Sequence, residues 1–220
     1  GTLNVFNGGK VGLVFMNVGQ NDNSTGTVVV DGVDSQLLAT TTSSSGITVG
    51  TNGNGSVTIS NGGSIISNSS TGVGWGKNSN GIVNVDGSGS GWVINSGPMN
   101  VGGTGSMSVT NGGVVKSAGG AIAGGSPADD AAGKGDVIID GPGSLWDIGA
   151  RELSIGAQNS ATKLPSGNGT LIVSNQGQLN AQSINVDAEN GTVAIGALAG
   201  QTAKAAGTIN AKKIILANTN

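Results

Sequence analysis

Neither cysteine nor histidine occurs in the 220-residue chain, and there is no tyrosine. These absences remove the thiol nucleophile, the commonest general base and the usual transition-metal ligands, so any chemistry would fall to carboxylates or to serine and lysine. Aromatic residues are scarce too: Phe6, Phe15, Trp75, Trp92 and Trp146 are all there are. Globular cores draw much of their buried area from such rings, so this interior must be built otherwise. Missing cysteine is compatible with many compartments, an outer surface among them. No apolar run approaches the roughly 18 residues of a membrane-spanning helix, and no direct membrane insertion is expected. Nothing at the start reads as a signal peptide, which suggests a mature or recombinant piece.

A surplus of positive charge is also lacking. Nine basic and twelve acidic residues give a formal charge of -3 and a pI near 4.6, and only Lys212 and Lys213 adjoin. Nucleic-acid binding requires a clustered excess of Lys and Arg, so no nucleic-acid partner is expected.

What the chain has instead is glycine, 43 residues of it, with much Ser, Thr and Asn. Such a composition can mark a flexible low-complexity tract. Here, however, 35% of residues are hydrophobic, and they recur regularly. Gly1-Thr2-Leu3-Asn4-Val5-Phe6-Asn7-Gly8-Gly9 returns as Gly55-Ser56-Val57-Thr58-Ile59-Ser60-Asn61-Gly62-Gly63, again from Gly105 to Gly113, and more loosely from Gly169 to Gly177. A sister unit, Gly26-Thr27-Val28-Val29-Val30-Asp31-Gly32, alternates with it and recurs from Gly81 and from Gly135, with Asp-Gly in place of Asn-Gly-Gly. Degenerate unit starts lie near Gly191 and Gly207. The mean step is about 26 residues, a solenoid period.

Inside each unit the apolar residues alternate with polar ones, as in Val57, Thr58, Ile59 or Val83, Asn84, Val85. Period two means strand. A second strand, seen in Met16-Asn17-Val18-Gly19, Ile47-Thr48-Val49-Gly50 and Leu153-Ser154-Ile155-Gly156, precedes each new unit, with Val73-Gly74-Trp75-Gly76 as a variant. A third short apolar piece lies around Val11, Ile65, Val115 and Leu179. Stacked in parallel, the repeats bring Leu3, Val28, Val57, Val83, Met107, Val137 and Leu171 into one column and pair every backbone group with the coils on either side. The expected fold is therefore all-β: a single-stranded right-handed parallel β-helix (β-solenoid) of about eight to nine coils, each of roughly 26 residues and three short strands. Residues 1–220 read as one domain, with more degenerate coils over 180–220 and a solenoid cut through at Gly1. The Asn-Gly and Asp-Gly pairs mark corners needing positive φ, and Asn7, Asn61, Asn111 and Asn175 are expected to stack as an amide ladder.

The alternation of Gly-Thr/Ser-apolar-x-apolar-x-Asn-Gly-Gly with apolar-Asp-Gly-x-Gly-Ser-x-Trp resembles the passenger repeats of large bacterial autotransporters. Gly87-Ser88-Gly89-Ser90-Gly91-Trp92 and Gly141-Pro142-Gly143-Ser144-Leu145-Trp146 are its best instances, and the resemblance runs from Gly1 to about Leu179. It implies a right-handed β-helix exported across the outer membrane and held at the bacterial cell surface. Adhesion or self-association would then be its work, the partner being a host or bacterial surface protein or glycan, or another copy of the chain. The covalently linked outer-membrane barrel that such passengers carry is expected outside these residues, since no barrel-like strands appear here.

Some parallel β-helices bind or cut polysaccharide with paired carboxylates, which directs attention to Asp129, Asp130, Asp136, Asp140 and Asp147. Asp140 repeats the Asp-Gly turns of Asp31 and Asp86, and Asp129 and Asp130 read as solvated loop charges. The chain is accordingly read as non-catalytic, with no cofactor and no metal; a carbohydrate-binding or carbohydrate-cleaving domain of the tailspike or lyase type is the alternative. Gly72 to Asn78 imitates a phosphate loop but lacks its first glycine and its final Ser or Thr. Trp92 and Trp146 share a repeat position with Leu37 and are assigned to the core, as is Trp75. The gaps between strands are longest at 125–134 and 157–168, on neighbouring coils. Gly125, Ser126, Asp129, Asp130, Lys134, Gln158, Asn159 and Lys163 are therefore the candidate partner-contact residues.

Overall fold

The computed structural model describes residues 1–42, 45–76, 79–123, 133–158 and 165–216. The chain winds into an all-β parallel solenoid of about seven turns with three strands per turn. The first face is made by Thr2–Phe6, Thr25–Asp31, Asn54–Ser60, Asn80–Asp86, Thr104–Thr110, Gly133–Asp140, Pro165–Ser174 and Gly191–Ile195, each hydrogen-bonded in parallel to its counterpart one coil away. The second face runs from Lys10–Leu13 through Gln36–Ala39, Ser64–Ser67, Gly91–Ile94 and Val114–Lys116 to Leu145–Asp147. The third runs from Met16–Val18 through Ile47–Val49, Thr71–Val73, Met99–Val101 and Gly120–Ile122 to Glu152–Ile155.

Register explains the repeat. Leu3 pairs with Val28, Val28 with Val57, Val57 with Val83, Val83 with Met107, Met107 with Val137, and Val137 with Leu171, so the expected column is present. Because side chains alternate across a strand, the full strands of this face read exposed-buried-intermediate in strict alternation. On the second face Leu37, Ile65, Trp92, Val115, Trp146 and Leu179 form a second inner column. Both Trp92 and Trp146 are fully buried, in agreement with their substitution by Leu.

The C-terminal end departs from the expected unit starts for a definite reason. Gly207 does not open a new coil. Thr208 pairs with Gln178, so Thr208–Leu216 completes the coil begun at Gly191. In the last two coils the second and third strands have merged: Gln178–Val186 pairs with Leu145–Asp147 at one end and with Glu152–Ile155 at the other. Residues 196–207 contain no strand.

One glycine shows how closely the faces approach. A Cβ at Gly120, on the third face, would sit 2.7 Å from Trp146 Cζ2 and 2.9 Å from its Cη2, so the indole reaches across the interior into space that only glycine leaves open. The Trp146 Nε1–H donates to Ser117 Oγ at 3.0 Å, which keeps the buried ring satisfied. Gly120→Ala is expected to cost about 1–3 kcal/mol through overpacking. Gly12→Ala, where nothing lies within 4 Å, should leave stability nearly unchanged. Urea midpoints of the two variants check this; equal midpoints would refute the close fit.

Candidate functional site

The two long inter-strand segments meet as expected at their described ends. Gly133 pairs with Gly167 and Lys134 with Asn168, so the segments stand on adjacent coils. These residues are strand rather than loop, because extending Gly133–Asp140 and Pro165–Ser174 toward the N-terminus satisfies backbone groups that a loop would leave to solvent. Lys134 forms an ion pair with Asp136 at 2.7 Å on the exposed first face, an arrangement of small energetic consequence in water. The backbone of Gln158 pairs antiparallel with Pro165 and that of Ala157 with Gly167, bracketing 159–164. Gly125, Ser126, Asp129, Asp130, Asn159 and Lys163 lie outside the described residues.

Among the described residues the candidate carboxylates Asp136, Asp140 and Asp147 do not converge. Asp136 and Asp140 point outward from one strand four residues apart, roughly 13 Å along the chain, beyond the ~5–9.5 Å of a glycosidase pair. Asp147 lies on a different face and accepts from the Gly149 amide at 3.0 Å. Among the described residues no group of three or more acidic side chains is placed to share a metal ion. Lys77 and Asn78, at the end of the phosphate-loop imitation, fall outside the described residues.

The turn aspartates have a different role, one that alters the expected asparagine ladder. Asp31 accepts from Ser60 Oγ at 2.6 Å and from Asn61 Nδ2 at 2.7 Å; Asp86 accepts from Thr110 Oγ1 at 2.6 Å and Asn111 Nδ2 at 2.7 Å. Asp140 repeats the pattern with the Ser174 hydroxyl and Asn175 Nδ2, and Lys204 Nζ adds a contact at 3.3 Å. Asn7, Asn61, Asn111 and Asn175 sit on alternate coils, about 9.6 Å apart at two inter-strand spacings. That is too far for amides to bond to one another, so each of the last three donates to the aspartate of the intervening coil instead.

The other side of each Asp-Gly coil is fixed by a buried serine. Gly8, Gly62 and Gly112 donate their backbone N–H groups to Ser35 Oγ, Ser90 Oγ and Ser144 Oγ at 3.0, 3.1 and 3.0 Å. Every coil from the first to the seventh is thus clipped to the next at one corner, by a serine on one step and an aspartate on the following one. The true structural unit is a pair of coils. The strict alternation of Asn-Gly-Gly with Asp-Gly, and the Ser or Thr before Asn61, Asn111 and Asn175, is the signal that would have revealed it.

These bonds set the charge state of the corner. Hydrogen bonds from Ser60 and then Asn61 hold Asp31 below its ordinary value of 3.8, against a small opposing effect of burial. For Asp140 the Ser174 hydroxyl is the largest cause, opposed by partial burial and reinforced by Lys204 and Asn175.

The aromatic residues divide unexpectedly. Val73, not Trp75, occupies the inward position shared with Val18, Val49 and Val101. Gly74, at φ 67°, turns the corner, and a Cβ there would lie 2.4 Å from the Gly102 carbonyl oxygen. Trp75 therefore emerges beyond the core and is 37% exposed. Aligning Gly74 with Gly19 and Gly50 is the sequence signal that separates it from the buried tryptophans.

No protein-family model, no curated protein and no solved structure matches this chain.

Two outcomes test the corner clips. Asn111 has φ 52°, so Asn111→Gly removes only its bond to Asp86, for about 0.5–1.5 kcal/mol. Asn111→Ala adds the strain of a left-handed Cβ, about 1–2 kcal/mol more, and urea unfolding should rank the two accordingly. A depressed folded-state pKa gives stability that is complete above the unfolded value and lost as pH falls through the folded one. Between about pH 4 and pH 2, the melting temperature of the parent should fall more steeply than that of Asp31→Asn/Asp140→Asn, while the double variant should melt lower at pH 7. Parallel curves would show that the clips carry no linkage.

Proposed function

We propose that this chain is a non-catalytic stalk of the autotransporter-passenger kind, displayed on a bacterial cell surface, where its long flank mediates adhesion or self-association. One observation carries the reading: the continuous solenoid presents on its first face an outward column lined mainly by small neutral polar side chains. On the first face Thr2, Thr27, Ser56, Ser106, Thr170 and Thr192 belong to one column, interrupted by Ile82 and Asp136. Side chains of this kind, repeated at about 4.8 Å, suit many weak contacts over a large area. Affinity then comes from multiplicity. The repeat pattern of the first seven coils supports the same reading.

Carbohydrate recognition, the tailspike-like alternative, gains support in its binding half from exposed Trp75, whereas the separation of Asp136 from Asp140 argues against sugar cleavage by that pair.

To test the proposal, the chain is displayed on a non-adherent bacterium through an unrelated outer-membrane anchor. Cell settling and attachment to epithelial monolayers are then compared with anchor-only cells. Faster settling or increased attachment is expected; a correctly displayed chain that changes neither would overturn the reading.

A further inference from the structure

Of the three tryptophans, Trp92 and Trp146 are fully buried, and only Trp75 reaches solvent. Its backbone is anchored by an N–H bond to the Gly50 carbonyl at 2.9 Å. Its side chain turns back over the outer surface of the third face: a Cβ on Gly72 would be 3.2 Å from Cε3 and 3.8 Å from Cδ2 and Cζ3. Gly72 is buried although it points outward. The same outward position is Thr48 on the coil before and Asn100 on the coil after. Glycine here makes room for the ring beside the polar positions Asn17, Thr48 and Asn100 of the same column.

Polar side chains of the neighbouring coils flank Gly72, on which the ring rests. Thr51 Oγ1 donates to Thr48 Oγ1 at 3.1 Å, which donates to Asn17 Oδ1 at 2.6 Å. Across Gly72, Asn100 is half-buried, and its side-chain amide makes no hydrogen bond to the described residues. An exposed indole beside hydroxyls and amides, stepped at about 4.8 Å, presents an apolar surface with a hydrogen-bonding rim. A protein partner would favour a wider apolar patch. The match is to a pyranose ring, whose C–H face is apolar, whose hydroxyl edge both donates and accepts, and whose length is on the scale of one coil.

We propose that Trp75, with Thr48 and Asn100 on either side, is a stacking subsite for a neutral pyranose unit of a surface glycan. The proposal rests on the reading of the flank as a ligand-binding surface and names the partner class for one stretch of it. Trp75 packs on the outer face of Gly72, and the sugar would take the part of the ring still in solvent, with its hydroxyls directed to Asn100 and Thr48.

Buried Trp92 and Trp146 make acrylamide quenching a report on Trp75. The purified chain is titrated with maltotriose, cellotriose, mannotriose and chitotriose while quenching and binding heat are followed. At least one should protect the fluorescence from acrylamide. Trp75→Ala should weaken that binding by at least about tenfold, Trp75→Phe should retain part of it, and Asn100→Ala should weaken it severalfold, with circular dichroism unchanged in all three. Failure of every trisaccharide to bind, or undiminished binding by folded Trp75→Ala, would overturn the subsite. Displayed Trp75→Ala cells separate the two claims: if they still adhere or aggregate like the parent while the sugars fail, the subsite is lost and the adhesive stalk stands. If the parent is inert on cells yet trisaccharides bind through Trp75, the subsite stands and the stalk is lost.

Discussion

Among the described residues every strand but the short antiparallel Ala157–Gln158 pairs in parallel with strands of neighbouring coils, and the other properties of the molecule follow from that dependence. A parallel ladder carries side chains above their counterparts, so Val57 must have Val28 on one side and Val83 on the other. A one-residue slip would turn the whole apolar set toward solvent. The period of about 26 residues is therefore an energetic requirement of stacking. It also explains why so few aromatics suffice: columns of Val, Ile and Leu fill a narrow interior, and the Trp146 ring fits because the opposite face yields space at Gly120.

Ladder bonds hold register along each face, but corners turn the chain away from ladder geometry. Here the structure uses charge sparingly and in pairs of coils. A carboxylate at Asp31, Asp86 or Asp140 accepts from two side chains of the following coil, while Ser35, Ser90 or Ser144 receives a backbone amide from the preceding one. A column of asparagines on every coil would have tied corners by amide pairs alone. Alternating Asp with Asn places an ionised acceptor opposite neutral donors at each second step, and bonds of that kind are the stronger ones. After Asn175 no further Asp-Gly coil follows; the Asn175 and Gln176 amides bond instead to the Ala205 and Ala206 carbonyls. Loss of the corner pattern coincides with the merging of strands in the last coils.

This division between ladder and corner governs what could be read from the residues alone. The first-face column from Leu3 to Leu171 was legible because period two and period 26 coincide there, and Trp92 and Trp146 were legible because Leu37 shares their register. The asparagine spacing was visible as well, but only three-dimensional stacking shows that asparagines two coils apart cannot touch. At the C-terminus Gly207 looked like a unit start because glycine marks both coil starts and other tight approaches. Trp75 was assigned inward because a shift of two residues preserves strand parity, and parity alone cannot tell Val73 from Trp75. The gap segments around Lys134 and Gln158 were chosen by length alone; their described ends are strand, and the rest of them lies outside the described residues.

Inward positions have almost no freedom, since each is constrained by two neighbours and by the narrow interior. Outward positions answer to solvent and to any ligand, so a departure there carries more information than one in the core. Glycine at 72 surrenders a β-branched or polar residue in mid-strand, at a cost of about 0.5–1 kcal/mol in backbone freedom, and what occupies the vacated space is the Trp75 ring. Covering Gly72 recovers apolar burial for part of that ring, yet 37% of the residue remains in water. Stability would be served better by a side chain that ends on the sheet. Leaving that surface outside, between Thr48 and Asn100, is the arrangement in which a ligand with one apolar face and a polar edge gains most.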